Sequence, residues 1–188
     1  MKPAKFEYMV PESLEEAIHC LERYGDDAKV ISGGQSLIPL LSMRLSTPKY
    51  LIDLNRIKDL QYVREEGDVL AIGALTRHAE VERSAIVRKR CPLLSEAVTY
   101  IGHWQIRNRG TIGGSIAHAD PTAELPCVIS ALRGEIVIMG PEGERTVAPE
   151  EFFLTYLLTS LDSTEIVKEV RFPYLPPTSG YAFLEVAR

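Results

Sequence analysis

The sequence has 188 residues, of which 45% are hydrophobic and 25% are charged, and its formal net charge is −5 at pH 7. This composition is typical of one globular domain or two small ones, and it lacks the basic excess of proteins that bind nucleic acid or anionic membranes. The apolar runs are shorter than the roughly 20 residues of a membrane-spanning helix, and the N-terminus has no apolar signal core, so we predict a cytoplasmic protein.

Residues 1–55 alternate between strand and helix patterns. Ser13 and Glu16 form a capping box before apolar residues at helical spacing, which predicts a helix that Gly25 ends. The other predicted elements are strands over 28–32 and 50–54 and, between them, a short helix that Ser36 caps and that runs to about Leu45. We therefore predict a small α/β unit over residues 1–55.

Residues 56–175 carry hairpin patterns and short helices instead. Thr76 is predicted to cap a short helix, Pro92 to open another, and Pro126 to bend or shorten a helix over 122–131. The predicted strands cover 60–64, 69–73, 135–139, 144–148 and 165–172. These patterns predict a second, α+β unit with an antiparallel sheet.

The last segment, 176–188, begins with a turn at Pro176-Pro177 and continues as a strand pattern over 181–186. The chain stops at Arg188, inside this pattern. We expect that these residues start a truncated C-terminal region, or that a partner covers the strand edge.

Two glycine pairs, Gly33-Gly34 and Gly113-Gly114, each follow an apolar run and precede small polar residues. Paired glycines permit positive φ and the close approach of a ligand, and exposed N–H groups at such turns can hold a phosphate. Two loops of this kind favour a ligand with two phosphates, gripped from both sides, and hence a dinucleotide. Plain turns remain the alternative, since neither loop matches GxGxxG or GxxxxGK[ST].

Charged residues around the second pair allow more than one interpretation. Arg107 and Arg109 precede it, and one of them could contact a phosphate, or both could form salt bridges on the surface. Glu124 could accept a hydrogen bond from a ribose hydroxyl, or it could be an acid that a helix N-terminus favours.

Hydrolytic and metal chemistry are not favoured by the sequence. Ser115, His118 and Asp120 lie within six residues of each other without a GxSxG elbow, and His118 and Asp120 have no evident third partner as metal ligands. The three cysteines are far apart in sequence, which predicts neither a disulfide framework nor a CxxC site.

The two glycine loops resemble those of a known protein family. The segment Ser32–Pro39, with Met43-Arg44-Leu45 behind it, resembles the first FAD loop of the molybdenum hydroxylase flavoproteins, and Gln105–Pro121 resembles the second. The likeness runs from Phe6 to Arg188 and is nearest to the FAD-binding medium subunit of carbon monoxide dehydrogenase-like and xanthine dehydrogenase-like enzymes. It implies an α+β, two-subdomain PCMH/VAO-type FAD-binding fold without its usual C-terminal domain.

The resemblance also implies FAD as cofactor and a set of binding residues, with no catalytic residue and no metal ligand among them. The backbone of 32–36 and 111–115 would bind the pyrophosphate, Ile101 and Gly102 would lie near the flavin, and Ile166 would act through its main chain. The full set is Ser32, Gly33, Gly34, Gln35, Ser36, Leu37, Ile101, Gly102, Thr111, Ile112, Gly113, Gly114, Ser115, Ala117, His118, Asp120, Glu124, Leu161 and Ile166.

Two positions depart from the family pattern. Ser32 stands where alanine is usual, and Ser115 stands where asparagine or aspartate is usual. Both replacements are small and polar, so we expect FAD binding to survive.

The function implied by the resemblance is that of an oxidoreductase subunit for electron transfer. A large molybdopterin-binding subunit and a small 2Fe-2S subunit would be its partners, and NAD, a quinone or oxygen would be the acceptor. In such a subunit the flavin performs the redox chemistry and the protein binds and tunes it. Two alternatives stay open, which are a stand-alone flavin-dependent oxidase and a non-enzymatic scaffold that has lost FAD.

Overall fold

A computed structural model describes residues 2–186 of the chain. The α-helices are α1 (Leu14–Tyr24), α2 (Leu37–Ser42), α3 (His78–Arg83), α4 (Ala85–Arg90), α5 (Pro92–Ala97), α6 (Trp104–Arg107), α7 (Ile112–His118), α8 (Glu124–Ala131) and α9 (Pro149–Phe152). The strands are β1 (Glu7–Met9), β2 (Ala28–Ile31), β3 (Tyr50–Asp53), β4 (Val63–Glu66), β5 (Val69–Gly73), β6 (Glu135–Gly140), β7 (Gly143–Val147), β8 (Phe153–Thr155), β9 (Leu158–Thr159) and β10 (Ile166–Pro173).

The N-terminal part of the chain forms a parallel sheet in the order β1-β3-β2. Helix α1 connects β1 to β2 and packs its apolar stripe, which includes Ile18 and Leu21, into a small core with Ile52 of β3. Burial of each such side chain stabilises the fold by roughly 1.5–3 kcal/mol. Because β2 and β3 are parallel, the residues that follow them, Ser32 and Leu54, lie at the same edge of the sheet.

The remainder of the chain builds a five-stranded antiparallel sheet in the order β4-β5-β10-β6-β7. Its central strand β10 is almost continuously buried and pairs with β5 on one side and β6 on the other. A second hydrophobic core joins this sheet to helices α4, α5, α7 and α8. The predicted α+β class with an antiparallel sheet is therefore confirmed. The domain boundaries at 55 and 175 stay a prediction.

Several local predictions hold and several are wrong. Ser13 caps α1, Gly25 follows its last residue, and Pro92 opens α5 as predicted. The Ser36 side chain makes no cap bond, and α2 ends at Ser42 rather than near Leu45.

Other errors have visible causes. The Thr76 hydroxyl does not cap α3, because it bonds the backbone of Tyr62, and Arg77 occupies the N-cap position instead. Helix α8 begins at Glu124, so Pro126 lies in its first turn, where a missing N–H costs little. Residues 181–186 form no strand, and the last two residues of the predicted C-terminal segment lie outside the described range.

Candidate functional site

A cleft of about 610 Å³ lies where the two sheets meet, and both glycine segments line it. This volume falls within the usual range for small-molecule and cofactor sites. The cleft is bounded by the carboxyl end of β2, the start of α7, and the segment 161–167 that leads into β10. The fold therefore brings together residues that are more than 100 positions apart in the sequence.

The first glycine segment is a true loop between β2 and α2. Gly34 has a φ of +72°, a backbone conformation that residues other than glycine rarely adopt. Gly33 is needed for a different reason, since a Cβ at this position would lie 2.6 Å from the carbonyl oxygen of Arg109 and 2.7 Å from the Cα of Gly110. Each glycine therefore serves a separate structural requirement.

This first loop presents a run of unbonded donors. Within residues 2–186, the backbone N–H groups of residues 33–37 have no acceptor. The same residues line the cleft, and Gln35 and Ser36 are exposed. Successive free amides at a turn form a concave site for an anion.

The second glycine segment is the first turn of α7, capped by the side chain of Thr111. Its amides are already used, because Ile112 donates to the carbonyl of Thr76 at 3.0 Å and Gly113 donates to that of Ala74 at 2.9 Å. Gly114 donates to the Thr111 hydroxyl at 3.2 Å. The expectation of positive φ is confirmed at Gly34 but wrong at Gly114, which is helical.

Glycine at 113 and 114 is explained by packing. A Cβ on Gly113 would lie 2.4 Å from the Cβ of Ala74 and 2.8 Å from its Cα. A Cβ on Gly114 would lie 2.7 Å from the Thr111 hydroxyl and 2.8 Å from the Ser32 hydroxyl. The second segment therefore packs tightly against Ala74, the residue after β5, and against the first loop.

The two segments touch directly through Ser32 and Thr111, whose hydroxyl oxygens are 2.9 Å apart and share a hydrogen bond. The serine that stands in place of the usual alanine thus has a partner in the other segment. Thr111 is buried, so this contact lies at the base of the cleft.

Seventeen of the nineteen predicted binding residues line this cleft. The two that do not are Gly102 and Ile112. Ile112 is fully buried in the large core, and Gly102 is exposed with a φ of +41°. Their binding roles, like those of the other seventeen, stay predictions.

Neither arginine ahead of the second segment lines the cleft. Arg107 forms an ion pair with Glu82 at 2.9 Å and also donates to the carbonyls of Ile101 and Gly102. Of the two interpretations from the sequence, the salt bridge is the one observed for Arg107. Its guanidinium fixes the segment at 101–102 instead of reaching the cleft.

The charges around the cleft are mainly acidic. Lys29 is the one lysine or arginine among its described lining residues, whereas the acidic lining residues are Asp26, Asp120, Glu124, Asp162 and Glu165. A bound diphosphate would therefore be neutralised by backbone dipoles more than by cationic side chains.

Three of these carboxylates have shifted pKa values, and for Glu165 the hydrogen-bonded ion pair with Arg145 lowers the pKa. Burial raises the pKa of Glu124, which is half-buried in the wall of the cleft. Hydrogen bonds from the hydroxyl and the backbone N–H of Thr122 lower the pKa of Asp120. Asp120 thus remains ionised more readily than Glu124.

Sequence reasoning missed His78, which is buried behind the second segment and also lines the cleft. Neither ring nitrogen has a hydrogen-bond partner among the described residues, and its own backbone N–H donates to the carbonyl of Gly110 at 3.0 Å. Burial lowers the pKa of His78 to about 4. A lone histidine after a strand gave no pattern from which this position could be inferred.

The outer rim of the cleft is an apolar hairpin, β8–β9, whose turn was also not predicted. Leu157 and Leu158 line the cleft while remaining more than half exposed. Leu157 has a φ of +57° and donates its N–H to the carbonyl of Ala119, whose φ is +52°. The hairpin is thereby attached to the end of α7.

Comparison with known proteins places these features in context. The chain is 47% identical, over its whole length, to 6-hydroxypseudooxynicotine dehydrogenase complex subunit alpha of Paenarthrobacter nicotinovorans. It is 46% identical, again over its whole length, to caffeine dehydrogenase subunit beta of Pseudomonas sp. strain CBB1. In each case the chain spans 64% of the relative's length.

Structural comparison gives a similar result. A chain of carbon monoxide dehydrogenase from Hydrogenophaga pseudoflava, in a form that lacks the Mo-pyranopterin moiety of the molybdenum cofactor, superposes with a TM-score of 0.98 at 43% identity. The superposition covers 100% of this chain and 66% of that chain. Residues 4–175 match the family described as the FAD binding domain in molybdopterin dehydrogenase. The chain therefore belongs to this family of FAD-binding domains, as the two loops predicted.

Proposed function

We propose that this chain is the FAD-binding part of the flavoprotein subunit of a molybdenum-containing hydroxylase or dehydrogenase. In this proposal the subunit passes electrons from the iron–sulfur clusters of a small partner, via FAD, to an external acceptor. A large molybdopterin-binding subunit would oxidise the organic substrate. The names of the relatives describe subunits of dehydrogenases, which supports this assignment.

The observation that carries the proposal is the run of unbonded amides at 33–37, facing a cleft that both glycine segments line. These residues fit a diphosphate, because backbone N–H groups bind phosphate oxygens without a lysine. The tight packing at Gly34 and Gly114 supports the proposal as well. A Cβ at position 34 would lie 3.0 Å from the Cγ1 of Ile38, and one at position 114 would lie 2.7 Å from the Thr111 hydroxyl, so a larger side chain at either position would displace the wall of the cleft.

The other proposed binding residues include one carboxylate and several apolar side chains. Glu124 lines the cleft at the start of α8, and in this proposal it accepts a hydrogen bond from a ribose hydroxyl, as acidic residues do in other dinucleotide sites. Ile101, Leu161 and Ile166 supply apolar surface around the cleft. FAD, when bound, supplies two-electron redox chemistry, and the chain's residues hold it and shield it from water.

A direct test is to purify the chain and titrate it with FAD while following flavin absorbance and fluorescence. We expect stoichiometric binding, and we expect Gly114→Val to lose it, because the valine side chain would displace the hydroxyls of Thr111 and Ser32. The control is Gly180→Ala, where a Cβ meets no atom within 4 Å. Normal flavin occupancy in Gly114→Val would contradict the site.

The same preparation separates the alternatives. A scaffold that has lost FAD would stay colourless after FAD addition. A stand-alone flavin-dependent oxidase would turn over a small substrate without partner subunits. Co-purification with a large and a small subunit, with molybdenum and iron in the complex, would support the proposed role.

The acceptor and the cellular location belong to the proposal too. NAD, a quinone and oxygen are the acceptors we consider, and we propose a cytoplasmic enzyme complex. Across residues 2–186, no helix has the length and hydrophobicity needed to cross a bilayer.

A further inference from the structure

The two glycine segments are joined, behind the cleft, by a pair of side chains from elsewhere in the sequence. Asn55 follows strand β3, and its side-chain amide donates to the carbonyl of Ser32 at 2.9 Å. Arg77 precedes α3, and its guanidinium donates both to the side-chain oxygen of Asn55 and to the carbonyl of Arg109. We call Asn55 and Arg77 the loop clamp.

The clamp is itself held in place on both sides. The Asp53 carboxylate accepts bonds from the backbone and the side chain of Asn55, and it also accepts the Tyr8 hydroxyl. Arg77 pairs with Thr111 as an antiparallel bridge. The guanidinium therefore connects two segments that the backbone has already positioned.

The clamp bonds carbonyls that lie next to the closest contact between the segments. Gly33 follows Ser32, and the position of its missing Cβ is 2.6 Å from the same Arg109 oxygen that Arg77 bonds. In a trans peptide the C=O and N–H groups point in opposite directions. When Asn55 holds the Ser32 carbonyl, the N–H of Gly33 points away from Asn55, and it has no acceptor among residues 2–186.

We propose that Asn55 and Arg77 are positioning residues that orient the first-loop amides for a diphosphate and fix the spacing of the two segments. Neither side chain lines the cleft. They act through the backbone of Ser32 and Arg109 rather than by touching the ligand. The proposal rests on the FAD-binding function proposed above.

The test measures the affinity of the chain for three ligands, namely FAD, ADP and adenosine. For Asn55→Ala and Arg77→Met, we expect the dissociation constants for FAD and ADP to rise about threefold to tenfold, as for the loss of one hydrogen bond. Adenosine carries no phosphate, so we expect its affinity to be unchanged. The double variant should weaken binding by less than the product of the two single effects, because Arg77 donates to the side chain of Asn55 and the two residues act as one unit.

Two further variants test whether FAD affinity depends on the hydrogen-bond geometry of Arg77 or only on positive charge near the first loop. Arg77→Lys keeps the charge but cannot bond two acceptors in a planar fork, so we expect a partial loss of FAD affinity. Arg56→Met removes an exposed positive charge next to Asn55 and should bind FAD normally. Melting temperatures of all variants without ligand show whether each remains folded, and Arg77→Lys provides the affinity test if Asn55→Ala does not fold.

The outcomes distinguish this inference from the proposed function. Unchanged affinity for FAD and ADP in the clamp variants would overturn the positioning role of Asn55 and Arg77 alone. An equal loss of affinity for adenosine would have the same consequence. Failure of the unaltered chain to bind FAD would overturn the proposed function together with the clamp.

Discussion

The two glycine segments look alike in the sequence, yet they are built differently. In the first, Gly34 adopts a left-handed conformation and the amides of 33–37 are unbonded. In the second, Gly113 and Gly114 are helical, their amides have acceptors within the protein, and their missing side chains make room for neighbours. The first segment therefore offers unbonded backbone donors to the cleft, and the second is a packed wall that holds the first segment in place.

The contrast predicts its largest effect for a substitution in the second segment, which should lower the free energy of unfolding. In Gly113→Ala the new methyl group would meet Ala74 at 2.4–2.9 Å, including its backbone, which cannot move cheaply. We expect the free energy of unfolding to fall by about 3 kcal/mol, measured by denaturant titration. Gly180→Ala is the control, and a loss below about 1 kcal/mol in Gly113→Ala would argue against the packed wall.

The next effect concerns His78, which supports the second segment from behind. Its pKa is about 4 in the folded chain against an ordinary 6.5, so between these values the unfolded chain binds a proton that the folded chain does not. Stability should therefore fall as the pH drops from 6.5 to 4, by up to about 3 kcal/mol. In His78→Phe this loss of stability at low pH should vanish. If the stability of both proteins fell by the same amount between pH 6.5 and pH 4, the proposed role of His78 would be contradicted.

A smaller effect on folding, but a larger one on binding, is expected at the first segment. Gly34→Ala forces alanine to a φ of +72°, at a cost of roughly 1–2 kcal/mol, and the relaxed loop would misalign its amides. We expect FAD to bind about tenfold more weakly. The matched control is Gly67→Ala, at a φ of +56° in a distant hairpin, which should lose similar stability and keep its FAD affinity.

The smallest effect is expected where the segments share one hydroxyl contact. Ser32→Ala removes the bond to Thr111 and leaves the residue that the family usually has at this position. We expect a change below about 1 kcal/mol in stability and little change in FAD affinity by fluorescence titration. A tenfold loss would mean that the hydroxyl itself contacts the ligand.

The sequence predicted those features that depend on local interactions. Helix α1 was predicted because Ser13, Glu16 and Gly25 mark its ends within a few residues, and the hairpins were predicted from their turns. The strand predicted over 181–186 does not form, since an alternating pattern cannot show whether a neighbouring strand is available for pairing.

The clamp and His78 were not predicted because their contacts span long distances along the chain. Asn55 lies 23 residues from Ser32, and Arg77 lies 32 residues from Arg109. One signal for Asn55 was available, namely a polar residue just beyond the carboxyl end of a parallel strand that neighbours the first loop. The helical conformation of Gly114 was missed because a glycine pair alone does not distinguish a turn from a tightly packed helix start.

The most direct test of the central claim is to follow the backbone amides of the ¹⁵N-labelled chain by NMR while FAD is added. We predict that the amide protons of Gly33, Gly34, Gln35 and Ser36 move downfield as they donate to the diphosphate, whereas those of Ile112 and Gly113, already bonded within the protein, change little. Downfield shifts at Ile112 and Gly113 with an unchanged first loop would contradict the claim.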